Sequence, residues 1–136
     1  MSGATEIDWD ELHRVAVAAL ANAYAPYSHF PVGVAGFADD GRVVSGANVE
    51  NASYGLTLCA ECSMVSQLCA TGGGRLTAVW CVDANGDSLM PCGRCRQLLW
   101  EFGGAEMLLM TPEGVMTMND VLPQAFGPEN LEKAGD

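Results

Sequence analysis

Two cysteine pairs with C-x-x-C spacing, Cys59/Cys62 and Cys92/Cys95, are separated by 29 residues, and Glu61 lies inside the first pair. Reduced thiols in this pattern bind a metal or cycle as a dithiol. A redox dithiol needs one pair and leaves the other unexplained. Two zinc readings compete. In the first, all four sulfurs close a tetrahedral structural site. In the second, Cys59, Cys92 and Cys95 hold the metal, water takes the fourth position, and Glu61 moves protons beside it. A structural site has no use for a base at that place. Spacing alone does not separate the two readings, but context favours the second. Zinc ribbons carry their cysteine pairs on turns between strands. Here Met64, Val65 and Leu68 follow one pair and Leu98, Leu99 and Phe102 the other, as the apolar sides of two helices. Helix starts also suit thiolates, because free amides and the dipole stabilise the anion. Cys62, Cys69 and Cys81 are then small buried packing residues. His13 is far in sequence from the pairs and His29 is in a loop, so neither is expected to bind the metal.

The elements that must carry these groups can be traced along the chain. Asp8 with Glu11 three residues later marks a helix start, and Trp9, Leu12, Ala16 and Ala19 recur at helical spacing. Pro26 ends that helix. Val32 to Ala38 and Arg42 to Asn48 form strands about an Asp40-Gly41 hairpin turn. Helices are expected over Cys59 to Ala70 and Cys92 to Phe102, each stopped by glycines. Strands are expected over Leu76–Val82, Glu106–Met110 and Val115–Met118, then a short helix near Asp120–Phe126. Helices between strands favour parallel crossovers and tight turns favour antiparallel pairs. The order predicts an α/β fold with a mixed sheet of about five strands and helices packed on it. Both cysteine pairs fall at helix starts after loops, where ligands gather in open sheets.

Composition narrows the partners. The 136 residues suit a single domain, 1–136, with a core of about 8–127 and a tail of 128–136. Six Lys and Arg face seventeen Asp and Glu, a formal charge of −11. No basic run exists to meet a nucleic acid, and a polyanion would be repelled. A small neutral substrate is compatible. No apolar run is long enough to span a membrane. Residues 1–11 carry no basic and apolar export signal, so reduced thiols and a cytoplasmic location are expected. Hydrophobic residues are 49 % of the chain and charged residues only 17 %, which points to some self-association.

Cys59-Ala60-Glu61 followed by Pro91-Cys92-Gly93-Arg94-Cys95 fits the signature of zinc deaminases, H-x-E then P-C-x-x-C, with Cys in place of His. Further segments are Ala25-Pro26-Tyr27-Ser28, Phe30-Pro31-Val32-Gly33, Asn48-Val49-Glu50-Asn51 and Cys95-Arg96-Gln97. On these, the chain from about Leu12 to Phe126 resembles the small cytidine deaminases that act on free nucleosides. The resemblance implies a three-layer α/β/α fold and one Zn²⁺ per subunit. It implies hydrolytic deamination of cytidine and 2'-deoxycytidine to uridine, 2'-deoxyuridine and ammonia, for pyrimidine salvage. It also implies a homotetramer with shared active sites. Asn48 and Glu50 would bind the ribose hydroxyls, and Phe30 would stack near the base. The Ala60 amide would hold the base carbonyl, while Tyr54 and Phe126 would reach a site across a subunit contact. Many relatives carry an Arg after the Glu to neutralise the thiolates. Cys62 stands there in this chain, and Arg94 is the candidate replacement.

Overall fold

The computed structural model describes residues 6–135. The Asp8 carboxylate accepts the Glu11 amide at 3.0 Å and starts helix α1, Trp9–Ala19. Its buried stripe is Leu12, Ala16 and Ala19. A 3₁₀ turn over Leu20–Asn22 follows, and the backbone extends at Ala23. The helix therefore ends well before Pro26, which was expected to stop it.

The sheet comprises β1 Gly33–Ala38, β2 Val43–Ala47, β3 Leu76–Val82, β4 Leu108–Thr111 and β5 Gly114–Thr117, in the order β2-β1-β3-β4-β5. Strands joined by short turns pair antiparallel: β1 with β2 and β4 with β5. Strand β3 runs antiparallel to β1 and parallel to β4. Helix α2, Ala60–Ala70, joins β2 to β3, and helix α3, Gly93–Gly103, joins β3 to β4. The expected mixed five-stranded sheet is the one observed.

Alternation along the strands separates two apolar layers. Val34 and Val79 face α2 and α3, packing with Met64, Leu68, Leu99 and Met107. Ala35, Ala78 and Val82 face α1, against Leu12 and Ala16. The result is a three-layer α/β/α fold. Gly46 sets the depth of α2 on the sheet. A Cβ there would lie 2.5 Å from both the Ala60 carbonyl oxygen and the Met64 nitrogen. The start of α2, which carries Glu61, is thus seated directly on the backbone of β2. Helix α3 stops at Gly104, whose φ of 76° suits glycine.

The C-terminal part departs from expectation. Helix α4 spans Met118–Val121, not the region of Asp120–Phe126, because Thr117 and Asp120 form a reciprocal capping box that sets an earlier start. Helix α5, Pro128–Gly135, occupies residues expected to be a tail. No helix among the described residues is long and apolar enough to cross a membrane.

Candidate active site

Cys59 and Cys92 are the residues that immediately precede α2 and α3, both in extended conformation, and neither side chain caps its own helix. Cys95 lies in the first turn of α3 and is buried. The three sulfurs lie within 4.8 Å of one another, and Cys62 is outside this cluster. Burial pushes the Cys59 thiol up, and burial with the nearby Glu61 charge pushes Cys95 well above the thiol range. The Cys95 amide instead holds Cys92 below its ordinary value. Three thiols in so small a space resist ionising together, and a divalent cation among them would reverse that balance. The donor set fits zinc. Thiolates at ~2.3 Å from a tetrahedral ion stand about 3.8 Å apart, within reach of this cluster. Arg94 is exposed, and its charge is favoured by the sulfurs of Cys62, then Cys59 and Cys95.

Glu61 is the second residue of α2 and is 3 % exposed. The buried Cys81 thiol donates to its Oε2 at 3.3 Å. Among the described residues, Trp80 Nε1 is the only fully buried side-chain nitrogen or oxygen without a partner. Among the described residues Glu61 Oε1 has no hydrogen-bond partner, and Glu61 borders space that a water or substrate can enter. That space is a cavity of about 220 Å³ lined by Asn48, Ala60, Glu61, Cys81 and the three clustered cysteines, with Leu89 and Met90 as an apolar wall. Arg96 fixes the loop before α3 by donating to the Pro91 carbonyl at 2.8 Å and to the Val121 carbonyl at 3.0 Å.

A second pocket of about 350 Å³ adjoins the first at Thr57 and holds Tyr27, Ser28, Glu50, Asn51 and Tyr54. The chain from Asn48 to Glu50 is clamped on both sides. Tyr24 exchanges backbone hydrogen bonds with Asn48 and Glu50, and Leu58 exchanges them with Val49. Glu50 Oε1 accepts the amides of Tyr27 and Ser28 at 3.0 and 3.1 Å, and its Oε2 accepts the Ser28 hydroxyl. The Ser28 hydroxyl, and then these amides, hold the Glu50 carboxyl below its ordinary value. Asn48 is 8 % exposed; its Oδ1 accepts the Val32 amide at 2.9 Å and its Nδ2 donates to the Phe30 carbonyl at 2.9 Å. One amide hydrogen and one lone pair remain to it for a ligand.

The structure thus brings together Cys59, Cys92, Cys95, Glu61, Ala60 and Asn48 in one cavity, and Glu50 with Tyr54 in the next. Phe30 is 51 % exposed and Phe126 57 % exposed, and neither lines these cavities. The Phe126 carbonyl is tied to α3 by the Gln97 side chain at 2.8 Å. Tyr54 is 76 % exposed, edge-on to Tyr27 with ring centroids 6.2 Å apart. His13 lies tilted against Trp80 and contacts the Gly86 carbonyl, and His29 is exposed; neither is in the thiol cluster. Two cysteine expectations need correction. Cys69 is exposed, because it lies one residue beyond Leu68, off the buried stripe of α2; Cys62 is only half-buried. Cys81 is buried as expected but is also polar in use, through Glu61. Its strand position near the end of β3 was the one available signal. Ser28 and Tyr27 as partners of Glu50 carry no local signal.

The family model for the cytidine and deoxycytidylate deaminase zinc-binding region matches residues 7–111. A cytidine deaminase of Mycobacterium tuberculosis is 56 % identical over 128 residues, covering 94 % of this chain and 96 % of that one. The crystal structure of cytidine deaminase from Mycobacterium leprae is 71 % identical with a TM-score of 0.86, covering 88 % of this chain and 100 % of that one. The crystal structure from Mycobacterium tuberculosis gives a TM-score of 0.88 at 58 % identity, covering 90 % and 99 %. With its fold, its three-thiol cavity and these likenesses, the chain belongs to the cytidine deaminase family and is a hydrolase.

Proposed function

We propose that this chain binds one Zn²⁺ per subunit through Cys59, Cys92 and Cys95 and deaminates cytidine and 2'-deoxycytidine to the corresponding uridines and ammonia. The observation that carries this reading is the buried Glu61 lining the same cavity as the thiol cluster. The metal, when bound, supplies a nucleophile by lowering the pKa of a water. Glu61 Oε1 takes a proton from the attacking water and passes it to ring N3 as the C4–O bond forms. It then carries the remaining hydroxyl proton to the exocyclic amine as the C4–N bond breaks, and ammonia leaves. Proton transfer of this kind contributes about 10²–10⁴-fold.

The chain's other groups hold the nucleoside. The Ala60 amide is at the start of α2, before any intrahelical acceptor, and is free to bind the base carbonyl. Asn48 and Glu50 take the sugar hydroxyls, and the carboxylate would repel a phosphate. Phe30 lines neither cavity in the single chain, but its carbonyl is held by Asn48, and from there its ring is proposed to stack near the base. Arg94 offsets the thiolate charge from its place beside Cys62 and Cys59. The exposed rings of Tyr54 and Phe126 support a homotetramer whose subunits complete one another's sites. The charge of −11 supports a free nucleoside over a nucleic acid. The free thiols fit a cytoplasmic location, and a free-nucleoside substrate fits pyrimidine salvage by a single domain. A closed four-cysteine module would need Cys62 in the cluster, and it lies outside.

Ultraviolet monitoring of cytidine with the purified protein tests the reading. Conversion to the uridine spectrum, lost on chelation and restored by zinc, is expected. No change with zinc bound would contradict it.

A further inference from the structure

Glu61 needs more than a buried position to carry protons between three sites on one substrate. Its side chain has three rotatable bonds, and an ionised carboxylate without donors is costly to bury. Among the described residues, the side-chain donor to it is the thiol of Cys81, at 3.3 Å on Oε2. Cys81 is 1 % exposed. It stands on β3, held by β1 on one side and β4 on the other, and pairs with Val34 in the register. The Leu89 amide anchors its carbonyl at 2.9 Å. The donor is therefore fixed on a central strand, while the acceptor is on the first turn of a helix.

We propose that Cys81 is a positioning residue for the deamination: its S–H holds Oε2 of Glu61 against β3 and leaves Oε1 facing the cavity. The asymmetry of the two oxygens supports this: among the described residues Oε2 has a protein partner and Oε1 has none, and Glu61 lines the cavity. Burial and the adjacent carboxylate both favour the protonated thiol, so the donor persists. The proposal rests on Glu61 as the proton carrier.

Three variants test it in the zinc-loaded protein. Cys81→Ala is expected to lower kcat about three- to tenfold, the scale of a weak hydrogen bond to a charged group, with KM and zinc content unchanged. Cys81→Ser keeps a donor and is expected to recover most of that loss. An unchanged kcat in Cys81→Ala, or a Ser variant as slow as the Ala variant, overturns the proposal. The Raman S–H stretch reads the same contact without turnover and without altering Cys81. In Glu61→Gln a thiol band should move to higher frequency as the charged acceptor is lost; no movement overturns the proposal. Full turnover by Glu61→Gln would instead overturn the proton-carrier reading itself. Lost turnover there, with Cys81→Ala at full rate, removes the positioning role alone.

Discussion

The thiol cavity and the Glu50 pocket meet at Thr57, yet one chain builds them to different degrees. The thiol cavity has a buried floor of Asn48, Ala60, Glu61, Cys81 and Cys95, set by two helix starts and a central strand, with Cys92 exposed at its edge. The Glu50 pocket is walled by Tyr27 and Tyr54, at 47 % and 76 % exposure, around a carboxylate held by Ser28 and the Tyr27 amide. Chemistry that needs atoms placed to fractions of an ångström is thus built within one chain. On the proposed function, sugar recognition falls to this exposed rim, and large exposed rings are what a rim completed by a second subunit requires.

The largest expected effect is on the thiol side. Cys95→Ala should abolish both zinc retention and turnover, because the cluster drops to two sulfurs; metal analysis beside a rate assay checks this. A Glu50 change should act on binding. Glu50→Ala removes a charged acceptor of the sugar hydroxyls and should raise KM about tenfold with a smaller change in kcat. Since the Glu50 carboxyl lies below its ordinary 4.5, its binding contribution is present above that value and is lost as pH falls through the lowered one. Ser28→Ala should move that loss to higher pH in a KM–pH profile.

Arg94→Ala should cost about tenfold in kcat with folding intact, as expected for removal of one charge that faces the sulfurs. An unchanged rate would assign the thiolates' charge balance to the helix amides alone. The smallest effect is on the rim. Phe126→Ala should raise KM severalfold while the isolated chain's stability changes little, since the ring is more than half exposed. A mixed sample of Glu61→Gln and Phe126→Ala subunits would regain wild-type-like KM sites if the ring serves a neighbour.

The same contrast governs what the sequence disclosed. Cys59, Glu61, Cys92 and Cys95 were legible because short spacing at helix starts carries the geometry in local form. Sheet order was legible because turns and crossovers alternate. Cys81 was not, since Leu76–Val82 is apolar on both faces and periodicity names no inner side. Ser28 and Glu50 meet across 22 positions, and Gln97 meets the Phe126 carbonyl across 29, contacts that only the assembled fold creates. Helix α5 escaped because its one large apolar residue, Leu131, is 64 % exposed, so no apolar stripe marks it in the sequence.

The central claim is that Glu61 carries protons beside a zinc site made by three cysteines and not by itself. Zinc content and cytidine turnover measured together on Glu61→Gln test it most directly. The account predicts one zinc per chain, retained, with turnover down by about two to four orders of magnitude. Turnover kept near the wild-type rate, or zinc lost together with the carboxylate, would contradict it.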